Sequence, residues 1–351
     1  MDTKVLKVNE DKLLGNELCS AVTILRDGGL VAFPTETVYG LGADALDESA
    51  AKKIYEAKGR PSDNPLIVHI ANVDALEKLA VEIPAAAYDL AKAFWPGPLT
   101  MILKKSPVVP YGTTGGLDTV AIRMPNHKLA LKLISESGLY LAAPSANSSG
   151  KPSPTLAQHV VHDLKGRIDM VIDGGKAVIG LESTIIDLTS ETPCILRPGF
   201  ITKSMLESVI GPVSYDKIVM MKEVDASVKP KAPGMKYKHY APYGDLTIFE
   251  GNSDKVVERI NNEVKLAVVA GKRVGIIATD ETKALYPVGF VKSIGTRRNE
   301  ETIASSLYEI LRDFDDLKTE LIFSESFYDE QLGQAIMNRL IKASGYKIIR
   351  V

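Results

Sequence analysis

The sequence at residues 33–42 reads Phe33-Pro34-Thr35-Glu36-Thr37-Val38-Tyr39-Gly40-Leu41-Gly42. It follows directly on the apolar run Leu30-Val31-Ala32, which has the composition of a buried strand. Proline stops strand pairing, the threonines offer hydrogen-bond donors and acceptors, and the glycines let the backbone approach a ligand closely. The stretch therefore predicts a buried strand that ends in a polar, ligand-facing loop.

Length and composition indicate a globular protein of two domains. The chain has 351 residues, more than one hydrophobic core usually supports. Its net charge of −2 provides no global field for DNA or an anionic membrane. No run of about 18 apolar residues occurs, and the polar first residues predict no signal peptide, so we expect a cytoplasmic protein without a membrane span. Cys19 and Cys194 are far apart in sequence and are expected to be reduced core residues.

The alternation of strands and helices predicts two α/β domains joined by a long linker. Residues 1–210 alternate short apolar strands with amphipathic helices. Residues 211–244 lose this periodicity and contain proline-rich phrases, which is typical of a linker. Residues 245–351 resume the alternation, which predicts a smaller domain with a parallel sheet.

Two cations and several small polar side chains lie in the loop Lys58-Gly59-Arg60-Pro61-Ser62-Asp63-Asn64-Pro65. It follows a helix expected over residues 48–57, with Asp47 as N-cap, and precedes the strand that carries His69. Lysine supplies a point charge and arginine a planar fork, and both suit phosphate oxygens. The alternative is a plain helix C-terminus whose cations face the helix dipole.

Arg123 lies inside the apolar strand Val120-Ala121-Ile122-Arg123-Met124, where a buried guanidinium needs an anionic partner. Either a structural carboxylate of the protein or a ligand carboxylate would satisfy it. Further polar segments stand at the ends of predicted strands, at residues 143–150, 181–185 and 196–199. Their recurrence within one domain predicts a shared ligand site.

Sequence patterns for other chemistries are absent. Neither a Walker A sequence nor a Gly-x-Gly-x-x-Gly fingerprint occurs, which excludes ATP binding through those two devices. No nucleophile elbow, His-Glu-x-x-His motif or catalytic carboxylate pair stands out, so we expect no covalent catalysis. His159 and His162 have helical spacing but no third ligand nearby, and we interpret them as a solvated helix face rather than a metal site.

In this order, the motifs resemble those of the threonylcarbamoyl-AMP synthases, which combine a YrdC-like domain with a smaller C-terminal domain. The matching segments are Pro34–Gly42, Lys58-Gly59-Arg60, Ser145-Ala146-Asn147, Ser183-Thr184, Arg197-Pro198-Gly199, and the linker phrases Ala232–Met235 and His239–Pro242. The resemblance covers essentially the whole chain. It implies an open twisted mixed sheet with a concave basic face, followed by a smaller Rossmann-like parallel α/β domain.

The resemblance also implies a reaction, in which L-threonine, bicarbonate and ATP give threonylcarbamoyl-AMP, pyrophosphate and water. This is the first step toward threonylcarbamoyladenosine in tRNA. Mg²⁺ would accompany ATP, and the tRNA threonylcarbamoyl-transferase complex is a candidate partner that receives the product.

Carried over position by position, the resemblance implies two groups of binding residues. Those for threonine are Thr35, His69, Arg123 and Ser183. Those for ATP are Lys58, Arg60, Ser62, Asn64, Ser145, Asn147, Arg197, Tyr237 and Tyr240. Lys58 and Arg60 are the implied catalytic residues because they would neutralise the triphosphate, and the two tyrosines of the linker would close over the site.

Two other functions fit parts of the pattern. A concave basic face would also suit double-stranded RNA, but the weak net charge and the lack of interleaved basic and aromatic stripes count against it. The second alternative function is carbamoyl-adenylate formation, as in the YrdC-like domain of hydrogenase maturation factors. Those proteins carry zinc-binding cysteine pairs and an acylphosphatase module, and this chain has neither.

Overall fold

A computed structural model describes most of the chain. The described residues are 2–9, 13, 15–217, 232–233, 239–327 and 332–351. The chain divides into two compact units. The first comprises residues 1–149, 153–178 and 182–236, and the second comprises residues 150–152, 179–181 and 237–351.

The first unit alternates strands with helices. Its strands are β1 (Lys4–Lys7), β2 (Val31–Phe33), β3 (Gly40–Asp44), β4 (Ile67–His69), β5 (Ala80–Val81), β6 (Leu99–Lys105), β7 (Thr119–Arg123), β8 (Leu141–Ala142), β9 (Met170–Asp173), β10 (Thr184–Asp187), β11 (Cys194–Arg197) and β12 (Ser214–Tyr215). Its α-helices are α1 (Cys19–Arg26), α2 (Glu48–Lys58), α3 (Leu76–Leu79), α4 (Ala85–Phe94), α5 (Tyr111–Thr114), α6 (Lys128–Ser137), α7 (Ala157–Leu164) and α8 (Lys203–Ile210).

These strands form one mixed sheet, as the sequence predicts. The strand order is β1-β9-β2-β3-β8-β4-β7-β6-β10-β11-β12, with β5 added beside β6. Strand β4 pairs in parallel with β7, and β6 in parallel with β10, whereas β6 and β7 are antiparallel. The polar loops predicted at strand ends therefore belong to one continuous sheet.

The two faces of this sheet differ in what covers them. Side chains such as Val68, Met101 and Ile122 belong to the main core. A smaller apolar cluster on the sheet contains Ile67, Ile102, Ala121, Ile185, Leu196 and the linker residue Ala232. Because alternate residues of a strand share a face, His69 lies on the face of Ile67, and Arg123 on that of Ala121.

The second unit is a parallel α/β domain, as predicted. Its elements are β13 (Asp245–Glu250), α9 (Ser253–Val269), β14 (Val274–Ala278), β15 (Phe290–Ser293), α10 (Glu300–Asp316), β16 (Leu321–Glu325), α11 (Gly333–Ala343) and β17 (Ile348–Arg350). The strand order is β15-β14-β16-β13-β17, and every pairing in it is parallel.

Local sequence signals predicted helix α2 to within one residue, but they did not predict strand β3. The Asp47 side chain accepts a hydrogen bond from Ser49 N at 2.8 Å, and Gly59 ends the helix with a left-handed φ of 61°. Strand β3 was missed because it contains two glycines, which disfavour strands. Gly42 is needed there because a Cβ would lie 2.7 Å from Phe33 Cε1.

Two side-chain environments differ from expectation. Cys19 is exposed and Cys194 half-buried, so the predicted core position is wrong for Cys19. Helix α1 turns Ala21, Val22 and Leu25 inward, which leaves Cys19 outside. His159 is buried, and its Nδ1 accepts a hydrogen bond from Thr155 N at 3.3 Å, so the interpretation as a solvated face is also wrong there.

Candidate active site

The loop between β2 and β3 is folded by Thr35. Thr35 Oγ1 accepts hydrogen bonds from Thr37 N at 3.2 Å and Val38 N at 3.3 Å, and donates to Val38 O at 2.6 Å. Such hydroxyl-to-backbone bonds stabilise tight turns. Thr35, Glu36 and Thr37 are all buried, so this turn places a carboxylate and two hydroxyls inside the protein.

Arg123, at the end of β7, faces this turn. Its Nη1 donates to Thr37 Oγ1 at 2.9 Å, and its Nε to Gly97 O at 3.3 Å. Its Nη2 lies 2.7 Å from Glu36 Oε1. In the described chain, neither Nη2 nor either oxygen of Glu36 has a partner with hydrogen-bond geometry. Glu36 is therefore the structural carboxylate that the sequence allowed as a partner of Arg123. The pairing still leaves Arg123 Nη2 and both Glu36 oxygens without a hydrogen bond in the described chain.

His69 pairs with Arg123 in the parallel register of β4 and β7. Its Nδ1 lies 3.1 Å from Ile67 O, and the side chain is buried. Burial, and secondly the charge of Arg123, lower the pKa of His69 from 6.5 to about 3. The imidazole is therefore neutral at pH 7 and serves as a polar but uncharged wall of the site.

Ser183 and Arg197 form a second group on the same sheet. Ser183 Oγ lies 2.7 Å from Thr100 Oγ1. Arg197 Nε donates to Ser183 O at 3.0 Å, and Nη2 to Ser183 Oγ at 3.2 Å. Arg197 Nη1 reaches the carbonyl oxygen of Pro233, in the predicted linker, at 3.5 Å. Thr100 of β6 and Arg197 of β11 thus contact the Ser183 hydroxyl, and the linker residue Pro233 contacts Arg197.

An irregular register in β11 orients Arg197. Ile185 lies opposite Arg197, whereas the next residue, Ile186, lies opposite Ile195. One residue of β11 is therefore extra, as in a β-bulge, which locally breaks the alternation of side chains. Leu196 can then pack in the smaller apolar cluster while the neighbouring Arg197 reaches Ser183.

Lys58, the last residue of α2, joins the helix to the loop after β8. Its buried Nζ donates to the carbonyl oxygens of Ser145 and Asn147, and lies 3.4 Å from Asn147 Oδ1. Ser145 Oγ donates to the same Asn147 Oδ1 at 2.6 Å. The ammonium group thus binds a second loop rather than only facing its own helix terminus.

Backbone hydrogen bonds hold the β2–β3 loop beside the loop after β8. Ala146 N donates to Tyr39 O at 2.8 Å, and Leu41 N donates to Pro144 O at 2.8 Å. Gly40 and Ser145 form an antiparallel bridge. The group around Arg123 and the group around Lys58 are therefore connected through adjoining loops.

The other residues that the sequence singled out have different surroundings. Arg60 donates to the carbonyl oxygens of its own loop, at Asn64 and Pro65, with distances of 3.3 and 3.1 Å. Ser62 is exposed. Asn64 is buried, and its Oδ1 has no hydrogen-bond partner within the described chain.

The role of the two linker tyrosines at the site stays a prediction. Tyr237 lies outside the described residues. Tyr240 belongs to the second unit, where its ring packs against Tyr308 with a centroid distance of 5.2 Å.

Sequence reasoning missed three polar residues of the site, Glu36, Thr37 and Thr100. Thr100 carried a signal, because it is a polar residue between the buried Leu99 and Met101. Glu36 and Thr37 lay in the quoted loop, but nothing in the sequence showed that they would contact Arg123.

The described residues show no metal or membrane element. No group of three or more His, Cys, Asp or Glu side chains in that part of the chain could hold a metal ion. None of the helices there is long and apolar enough to cross a membrane.

Comparison with known proteins identifies the family. Residues 23–199 match the Sua5–YciO–YrdC family, described as telomere recombination, and residues 201–345 match the C-terminal domain of threonylcarbamoyl-AMP synthase. The threonylcarbamoyl-AMP synthase of Bacillus subtilis is 52% identical over 343 residues, covering 97% of both chains. The chain belongs to the threonylcarbamoyl-AMP synthase family. The synthase of Pyrococcus abyssi is 53% identical over 331 residues, covering 94% of this chain and 95% of the relative.

A solved member of this family has the same fold. A crystal structure of P. abyssi Sua5 complexed with L-threonine superposes with a TM-score of 0.92 at 49% identity, and the match covers 100% of both chains. The two-domain threonylcarbamoyl-AMP synthase fold that the motifs implied is therefore confirmed.

Proposed function

We propose that this chain synthesises threonylcarbamoyl-AMP from L-threonine, bicarbonate and ATP, with release of pyrophosphate and water. Full-length identity above 50% to two synthases of that name supports the reaction. The structural observation that carries it is a pair of buried cations, Arg123 and Lys58, which contact two adjoining loops, the β2–β3 loop and the loop after β8. One cation suits an amino-acid carboxylate, and the other suits a phosphate.

The reaction needs positioning and charge stabilisation rather than a protein nucleophile. The threonine amine attacks bicarbonate, which forms a carbamate and releases water. A carbamate oxygen then attacks the α-phosphorus of ATP, and pyrophosphate leaves. Holding the two substrates in line and neutralising the phosphate charge are the main contributions a protein makes to such a transfer.

Threonine is proposed to bind beside Arg123. Thr35, His69 and Ser183 are the further residues assigned to it. The neutral His69 and the hydroxyls offer hydrogen bonds without adding a charge that would compete with the substrate. Buried polar groups of this kind discriminate strongly between ligands, because a mismatched ligand leaves them unpaired.

ATP is proposed to bind around Lys58. A phosphate oxygen would replace the 3.4 Å contact between Lys58 Nζ and Asn147 Oδ1, while the two carbonyl contacts keep the ammonium group in place. The buried Asn64 Oδ1 is an acceptor for the nucleotide. The remaining residues assigned to ATP are Arg60, Ser62, Ser145, Asn147, Arg197, Tyr237 and Tyr240.

Several wider features belong to the same proposal. Mg²⁺ would enter with the triphosphate, whose oxygens suit this hard cation. Residues 1–210 would carry catalysis on a concave, positively charged face, 211–244 would act as linker and lid, and 245–351 would form an accessory domain. The protein would act in the cytoplasm and pass its labile product to the tRNA threonylcarbamoyl-transferase complex.

Omitting one reaction component at a time tests the proposed function. Pyrophosphate release by the full chain should require ATP, Mg²⁺, threonine and bicarbonate together, and should not require tRNA. Serine should react about 10-fold or more slowly, because one missing methyl contact is worth about 1–3 kcal/mol. Release that ignores threonine, or tight binding of duplex RNA without any release, would contradict the proposal.

A further inference from the structure

We infer that Glu36 binds the α-ammonium group of threonine while Arg123 binds its carboxylate. This assignment rests on the proposed function, because it takes threonine as the amino acid bound at Arg123. It makes Glu36 the residue that selects an amino acid over a carboxylic acid of the same shape.

Glu36 is a buried carboxylate whose ion pair with Arg123 Nη2 lacks hydrogen-bond geometry. Its exposed fraction is 7%, and neither oxygen has a hydrogen-bond partner within the described chain. A buried ionised carboxylate without donors is costly, and proteins usually surround one with N–H or O–H groups. A ligand that brings donors into this position would therefore be bound favourably.

Arg123 cannot meet that need by itself. Its Nε and Nη1 already donate to Gly97 O and Thr37 Oγ1. Its Nη2 lies 2.7 Å from Glu36 Oε1 but is not aligned for a hydrogen bond. One donor, Arg123 Nη2, and two acceptors, the Glu36 carboxylate oxygens, therefore lie close together and buried without hydrogen-bond partners in the described chain.

A zwitterionic amino acid complements this set of atoms. Its carboxylate accepts from Arg123 Nη2, and its ammonium group donates to the oxygens of Glu36. A hydroxy acid would satisfy Arg123 but would offer Glu36 only a neutral donor. No other carboxylate in the described part of the chain is ion-paired with Arg123, which leaves Glu36 as the anion nearest the bound carboxylate.

The test compares two ligands on the full chain. L-Threonine and 2,3-dihydroxybutanoate of the same configuration differ only in the ammonium group, and ligand-observed NMR measures both affinities into the millimolar range. Glu36→Gln should weaken threonine about 10- to 100-fold, the effect of losing a charge-assisted hydrogen bond. The same substitution should leave the hydroxy acid within about twofold of wild type, or bind it more tightly.

A buried carboxylate elsewhere in the same sheet provides the control. Asp187 is buried in β10, where it accepts hydrogen bonds from Thr189 N at 2.9 Å and from Thr189 Oγ1 at 2.6 Å. Asp187→Asn should bind both ligands like wild type. If Glu36→Gln does not fold, Glu36→Asp keeps the charge at a different distance, and it should lose more affinity for threonine than for the hydroxy acid.

Equal losses for both ligands would overturn the assignment, because Glu36 would then act only by holding Arg123. Unchanged threonine affinity would overturn it as well. A wild-type chain that binds no threonine at all would instead overturn the proposed function, and this assignment with it.

Discussion

The candidate site is built from buried charged side chains whose partners are mostly backbone carbonyls and hydroxyls. Arg123 and Lys58 have exposed fractions of 4% and 3%. Burying a charge is costly unless hydrogen bonds surround it, and both side chains have them. Carbonyl and hydroxyl oxygens stabilise a cation without neutralising it, so Lys58 keeps a positive charge that can attract an anionic substrate. Arg123 in addition faces the Glu36 carboxylate, 2.7 Å from its Nη2.

Lys58→Ala should weaken ATP binding and leave threonine binding largely intact. The loss of a charge-assisted contact is worth about 1.5–3 kcal/mol, or roughly 10- to 100-fold in affinity. Titration calorimetry with each substrate measures both effects. Lys53→Ala is the matched control, because Lys53 lies on the same helix and its Nζ donates to Gly28 O, away from Ser145 and Asn147. Equal ATP affinity in Lys58→Ala and Lys53→Ala would show that the Lys58 loop is purely structural.

His69 should make the folded state sensitive to acid. Its folded pKa of about 3 lies below the ordinary value of 6.5. Its contribution to stability is therefore complete above pH 6.5 and is lost as the pH falls, because the unfolded chain then takes up a proton that the folded chain does not. The slope is about 1.4 kcal/mol per pH unit, which amounts to about 2 kcal/mol at pH 5.

Melting midpoints of wild type and His69→Gln between pH 7 and pH 5 check this prediction. The wild type should lose stability relative to the variant as the pH falls. His162→Gln, which changes an exposed histidine of the same unit, is measured over the same pH range as the control. A pH-independent difference between wild type and His69→Gln would mean that the buried imidazole can be protonated in the folded state.

Among the helices and strands, the sequence predicted the ones that carry strong local signals such as helix caps. Helix α2 carried an N-cap at Asp47 and a left-handed glycine at its end, so its bounds were nearly correct. Strand β1 was missed because it is a polar edge strand, and β3 because of its glycines. The bulge that orients Arg197 depends on the pairing of β10 with β11, which no local pattern determines.

The site residues also divide into those that local sequence reveals and those that depend on long-range contacts. Arg123 was recognisable because a cation inside an apolar strand is rare. Its partner Glu36 was not, because the contact joins residues 87 positions apart and depends on how β2, β3 and β7 assemble in one sheet. Predicting this contact from the sequence therefore required the pairing of distant strands, whereas the chemistry of the two residues was already evident.

Gly199→Ala should disturb the loop that carries Ser183. A Cβ at Gly199 would lie 2.5 Å from Thr184 N and 2.9 Å from Glu182 O, and backbone atoms cannot move aside easily. We expect a loss of about 1–3 kcal/mol in stability and weaker threonine binding, measured by denaturant titration and calorimetry. Gly15→Ala would place its Cβ more than 4 Å from any atom of the described residues beyond its chain neighbours and should be neutral. A Gly199→Ala chain with wild-type stability would show that this loop adapts freely.

At the scale of the whole molecule, the chain combines two sheets of different kinds. The first unit has a mixed sheet and contains every described candidate site residue except Tyr240, and the second has a purely parallel sheet. The alternation of strands and helices predicted the parallel sheet of the second unit, because such a pattern extends over many residues. The mixed sheet of the first unit was predicted only by the resemblance to the synthase family. The division of labour between the units remains a prediction.

The identity of the product tests the central claim most directly. The full chain is incubated with ATP, Mg²⁺, L-threonine and ¹³C-bicarbonate, and the adenylate is analysed at once by mass spectrometry. The account predicts a single adenylate that contains threonine and one labelled carbon. An adenylate of threonine without the label, or a labelled adenylate without threonine, would contradict it.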